Sequence, residues 1–178
     1  MNKKHLLSRY KPVENEAMEK GKQIFFDYYG DGFSIMRELG DEYKKCHIPP
    51  ESEQKWREEI KDDLLFKIKH TTGEERMGWI IRYTHILEDT ESINFLIKML
   101  HVPDMDTFSS IMLAESMKRL SKRNPDEDLQ NTVALEMKRF KEKAKNEKIT
   151  VDESYKKLYY MKDYDFSDAA LLNRIASI

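Results

Sequence analysis

Apolar residues recur every third or fourth position along most of the chain, and strand-like alternation is nearly absent, so the pattern predicts helices. The spacing places a first helix near 13–29, closed by the Gly30-Asp31-Gly32 turn, and a shorter one near 33–45 that Gly40 interrupts. Pro49 and Pro50 mark the next break. A helix near 51–70 follows, whose Trp56, Ile60, Leu64 and Ile68 lie four apart and define one stripe to be buried. The helix after Thr72, running to about Glu88, has Met77, Ile80, Ile81 and Thr84 on one side and Trp79, Tyr83 and Ile86 on another. Being apolar on two sides, it is the expected centre of the fold.

Further helices are expected near 91–101, 107–122 and 125–148, the last with Leu129, Val133, Met137, Phe140 and Ala144 as its inward stripe. Two short ones near 151–162 and 167–176 complete the chain. Thr72 with Glu75, Asn124 with Glu127 and Thr150 with Glu153 have the spacing of capping boxes, and Pro125 would sit at the first helical position. The expected fold class is all-α: an irregular multi-helix bundle of about eight or nine helices in one domain spanning residues 1–178. A short α-solenoid of stacked helical hairpins is the alternative architecture.

Composition changes this picture little. The 178 residues suffice for one ordinary domain, which at this size buries roughly 70% of its unfolded surface. Charged residues reach 36% against 39% hydrophobic, a balance that borders on disordered composition, but 2 Trp, 9 Tyr and 8 Phe supply anchors for a core. The net charge of -2 disfavours a general polyanion binder. Cys46 is the only cysteine, which rules out an intramolecular disulfide and a thiolate-rich zinc site. Near the start only Leu6 and Leu7 stand where a secretory segment needs a long apolar run, and no apolar run approaches the ~20 residues that span a bilayer. A cytoplasmic setting is expected.

Candidate chemistry is sparse. The imidazoles are His5, His47, His70, His85 and His101, and a helical carboxylate metal site would need an acid three residues before one of them. Asn2, Lys44, Lys67, Arg82 and Lys98 occupy those positions, and His85 with Asp89 is the best remaining pair, so no histidine-based metal site is expected. Cys46 beside His47 points away from it on a helix and is expected to be structural rather than a nucleophile. Neither a Gly-x-Ser-x-Gly elbow nor a Gly-rich phosphate loop occurs.

Glu59-x-x-Asp62 and Glu88-x-x-Glu91 each place two carboxylates one helical turn apart, a donor set suited to Mg²⁺ on a phosphate chain. Over about 34 residues this spacing resembles the all-α nucleotide pyrophosphohydrolases of the MazG type, whose pattern is Glu-x-x-Glu, a gap, then Glu-x-x-Asp. The chain departs from it at Asp62 and Glu91. The resemblance implies Mg²⁺-dependent pyrophosphate release with Glu59, Asp62, Glu88 and Glu91 as ligands. A solvated polar face is the plainer reading of the same residues.

Charge is uneven along the chain. Residues 118–157 hold 12 Lys/Arg against 8 Asp/Glu, a local excess of 12 − 8 = +4, with Lys138, Arg139, Lys141 and Lys145 on one long helix as candidate nucleic-acid contacts. Interleaved acids make a solvated face the plainer reading. Ten Met and the Tyr155, Tyr159, Tyr160 and Tyr164 group supply adaptable, amphipathic contact area of the sort enriched at protein interfaces. On an intact helix Tyr155 and Tyr159 would share one side, and Tyr160 and Tyr164 another. The leading expectation is a non-enzymatic protein–protein interaction module, a regulator or an antitoxin- or immunity-like binding protein, with self-association as its simplest form and no cofactor. The Mg²⁺ hydrolase and a nucleic-acid-binding protein are the alternatives.

Overall fold

The computed structural model describes residues 4–178, with side chains from residue 16 onward. The chain is an all-helical multi-helix bundle, and no strand occurs among the described residues. It divides into two compact units, Met1–Leu65 and Phe66–Ile178. Among the described residues no helix is long and apolar enough to cross a membrane.

In the first unit α1 (Lys4–Asp27) is followed by α2 (Gly32–Glu38), α3 (Gly40–Lys44) and most of α4 (Pro50–His70). Tyr29 and Gly30 take positive φ to reverse the chain, and the Asp31 carboxylate then accepts from the Phe33 and Ser34 amides to start α2. The interruption expected at Gly40 falls at Leu39, which leaves the helical region and joins α2 to α3. The predicted α4 stripe is real: Trp56, Ile60, Leu64 and Ile68 are all buried. Phe25, on α1, places its ring 5.8 Å from Trp56 and 6.4 Å from Tyr43.

The second unit contains α5 (Gly73–His85), α6 (Asp89–Leu100), α7 (Thr107–Ser121), α8 (Glu127–Asn146), α9 (Glu153–Lys156), a 3₁₀ turn at Tyr159–Met161 and α10 (Asp168–Ser177). Its centre is α7 rather than α5, a correction to the expectation from apolar spacing. On α5 only Met77, Ile80 and Tyr83 are buried apolar positions, and Ile81 is 41% exposed. On α7, Phe108, Ile111, Leu113, Ala114 and Met117 are each at most 1% exposed, and the helix packs on α5, α6, α8 and α10. Small residues explain the difference: Ser109, Ser110 and Ala114 let neighbours approach α7 from several sides.

None of the three expected capping boxes forms as drawn. Thr72 precedes α5 but makes no side-chain cap; the Glu74 amide is met by the Ser154 hydroxyl at 2.9 Å, supplied by α9. Asn124 accepts from the Asp126 amide at 2.9 Å, and Asp126 caps α8 by accepting from Leu129 at 3.1 Å. Thr150 is spent on Thr107, with each hydroxyl accepting the other's amide (3.1 and 2.9 Å), and Asp152 caps α9 in its place. Asp106 caps α7 itself, but the segment around 150–154 supplies the Ser154 hydroxyl to α5 and Thr150 acceptors to the Thr107 and Phe108 amides of α7, which staples it to both helices.

Candidate functional site

The segment after α9 was expected to continue as a helix, and it does not. Leu158 is extended (φ -72, ψ 127), so Tyr155 and Tyr159 share no helical side, nor do Tyr160 and Tyr164. Tyr155 turns inward and is 1% exposed, its hydroxyl 2.8 Å from that of Ser109, and burial pushes its ionisation well above the usual tyrosine range. Phe108 makes near-perpendicular contacts with three rings, with centroids 4.7 Å to Tyr155, 5.4 Å to Tyr164 and 5.1 Å to Phe166. Tyr164 also accepts from Arg174 at 2.6 Å, while Arg174 holds Glu115 through two nitrogens. Between these two anchors, Tyr159 is 91% and Tyr160 73% exposed. Of the four tyrosines singled out from sequence, Tyr155 is in the core, Tyr164 is half-buried against Phe108 and Arg174, and two project from a turn fixed at both ends.

The basic residues of α8 take up several tasks. Lys118, Lys122, Lys138, Lys141 and Lys145 line one groove of about 510 Å³ with Met137, Glu142 and Ile178. Lys118 and Lys141 donate to the Ser177 and Ala176 carbonyls, both at 3.1 Å, and so satisfy the last turn of α10 and its dipole. Lys145 donates to Glu142 at 2.8 Å, which holds that carboxyl below the usual carboxylate range. Lys138 adds a weaker attraction to the same carboxyl. Arg139 faces elsewhere, donating to Glu136 at 2.5 Å.

That last contact belongs to a separate cavity of about 280 Å³, formed where the C-terminal end of α6, the start of α7 and the last turns of α8 meet. Glu136 is buried, with its side chain 7% exposed, and each oxygen has a cationic or ring-nitrogen partner: Arg139 on Oε1 and His101 Nε2 on Oε2 at 2.7 Å. A buried carboxylate is costly unless paired in this way. Leu100, Met105, Phe140, Ala144 and Ile149 give the cavity an apolar wall, and Lys143, Glu147 and Lys148 lie at its edge. Little in the sequence marks Glu136, because one of its partners is 35 residues away. The one local clue is Arg139 a turn later at i+3.

Glu59, Asp62, Glu88 and Glu91 are all exposed, the first two on α4 in the first unit and the others at the start of α6 in the second. Glu59 lies 3.7 Å from the Lys22 ammonium. Among the described residues no group of three or more His, Cys, Asp or Glu side chains is arranged to hold a metal ion. His5 lies outside the residues whose side chains are described. His70 Nδ1 meets the Phe66 carbonyl at 2.7 Å, and Cys46 is buried with its thiol on the Glu42 carbonyl, both local helix contacts. No protein-family model, curated protein or solved structure matches the chain.

Proposed function

We propose that this chain is a non-enzymatic helical binding protein that docks a protein partner through Tyr159 and Tyr160, acting in the cytoplasm as a regulator or an antitoxin- or immunity-like factor. The observation that carries the reading is the exposure of two adjacent tyrosines, 91% and 73%, on a turn whose flanks are pinned by Tyr155 and Tyr164. Tyrosine anchors dominate many interfaces, and a backbone already held in place loses little conformational entropy when a partner arrives. Self-association through the same turn is the simplest version of the activity. Wild type and the Tyr159→Ser/Tyr160→Ser double variant are compared by quantitative pull-down from the native cell extract and by light scattering across a concentration series. The reading expects one species, a partner or a second copy, held by wild type and reduced about tenfold or more in the variant. Identical capture profiles together with a strict monomer at every concentration would refute it.

A second reading, nucleic-acid binding, is favoured by the five lysines that line one groove. Two of the five are engaged with α10 and Lys145 with Glu142, which leaves Lys122 and Lys138 as the two lysines of the groove without a side-chain hydrogen bond among the described residues. A gel shift at low salt with mixed DNA and RNA tests it, and loss of any retardation in Lys122→Gln/Lys138→Gln would be its signature.

A further inference from the structure

The cavity around Glu136 has the make-up of a small-molecule site that the tyrosine turn does not use. Its volume of about 280 Å³ is close to the lower end for small ligands, and it joins an apolar wall to a few convergent polar groups. Glu136 already has a partner on each oxygen, so it offers little to an incoming cation. Its effect is to hold Arg139 by one nitrogen while the rest of that guanidinium, on a side chain 62% exposed, keeps its other donors. Lys143 lies on the same face of α8 one turn further on and reaches Glu147 only at 3.7 Å. Lys148 lines the cavity, is exposed and has no hydrogen-bond or ion-pair partner among the described residues. Three cations against Glu136 and Glu147 leave a formal excess of 3 − 2 = +1 beside Phe140, Met105 and Ile149.

We propose that this cavity binds a small organic monoanion with an apolar body, its carboxylate on Arg139 and Lys148 and its hydrocarbon against Phe140, Met105 and Ile149. Glu136 is a positioning residue in this site. The inference is independent of the tyrosine turn, and its test involves neither Tyr159 nor Tyr160. Octanoate is titrated calorimetrically into the full chain, with octanol and octylammonium as uncharged and oppositely charged controls. One saturable site is expected for octanoate, with both controls at least about 10-fold weaker. Arg139→Gln and Lys148→Gln each weaken octanoate binding roughly 10-fold, and Lys69→Gln, exposed on α4 and outside this cavity, leaves it unchanged. Lys148 is exposed, so its variant decides the matter even if Arg139→Gln fails to fold. No saturable heat up to about 1 mM octanoate, equal binding of either control, or an affinity unaltered by Lys148→Gln would overturn the proposal.

Discussion

Gly73 and Gly78 sit on the same helix, and the structure assigns opposite signs to replacing them with alanine. Gly73 opens α5 at φ +52, where an L-residue costs about 1–2 kcal/mol. A Cβ there would stand 2.4 Å from the Asp152 carboxylate and from the Ser154 hydroxyl, atoms that belong to the capping end of α9. That segment would have to move, and the Ser154 cap on the Glu74 amide would go with it, at about 1 kcal/mol. Gly73→Ala therefore destabilises by about 2–3 kcal/mol, a fall in Tm of roughly 5–10 °C. Gly78 lies in the interior of α5, and a Cβ there meets nothing within 4 Å, so Gly78→Ala stabilises by about 0.5–1 kcal/mol. Urea titration of both variants gives the two values directly, and native-state hydrogen exchange should show the loss in Gly73→Ala concentrated around 150–156. A Gly73→Ala cost below about 0.5 kcal/mol, or equal effects at the two sites, would refute the view that α9 is stapled onto α5.

Other outcomes follow from the same contacts. Phe108→Ala removes the ring that Tyr155, Tyr164 and Phe166 all pack against, and should cost about 3–5 kcal/mol in urea unfolding. The Arg76 guanidinium, through its hydrogen bonds, holds Asp104 below the usual carboxylate range, so this pair contributes stability above the unfolded aspartate value and loses it as pH falls through the lower folded one. The stability gap between wild type and Asp104→Asn should accordingly be constant from about pH 5 to 7 and close in acid, as followed by thermal melts. Burial raises the Tyr155 ionisation, so its contribution is complete below about pH 10 and is lost as pH rises from there toward the folded value. Tyr155→Phe should cost about 1 kcal/mol at neutral pH, and its melts should fall less steeply in alkali than those of wild type.

What the sequence made visible is the local part of the structure. The Trp56 to Ile68 stripe, the break near Gly40 and most helix limits are written in spacing and in Gly and Pro, which act within one or two turns. The capping boxes expected from spacing do not form for a physical reason: Thr150 and Thr72 find better partners far along the chain, in Thr107 and Asp152, than in their own helices. The tyrosine segment failed similarly. Tyr155 is drawn into the core by Phe108 and Ser109, and the backbone leaves the helix at Leu158, so helical facing no longer governs Tyr159 and Tyr160. Glu136 was invisible as a site residue because its environment is made by α6 and α8 meeting, and one carboxylate among 33 acidic side chains has no pattern of its own. In the basic stretch, spacing along α8 located Lys141 and Lys145 without indicating that one would serve the end of α10 and the other Glu142.

The central claim is that the turn bearing Tyr159 and Tyr160 meets another protein. A photoreactive benzoylphenylalanine placed at Tyr160 in the intact chain, irradiated in the cells that make it, tests this at the residue itself. One discrete crosslinked species should form from position 160 and be absent when the same group replaces exposed Lys69 on α4. No adduct at position 160, or the same adducts from both positions, would contradict the account.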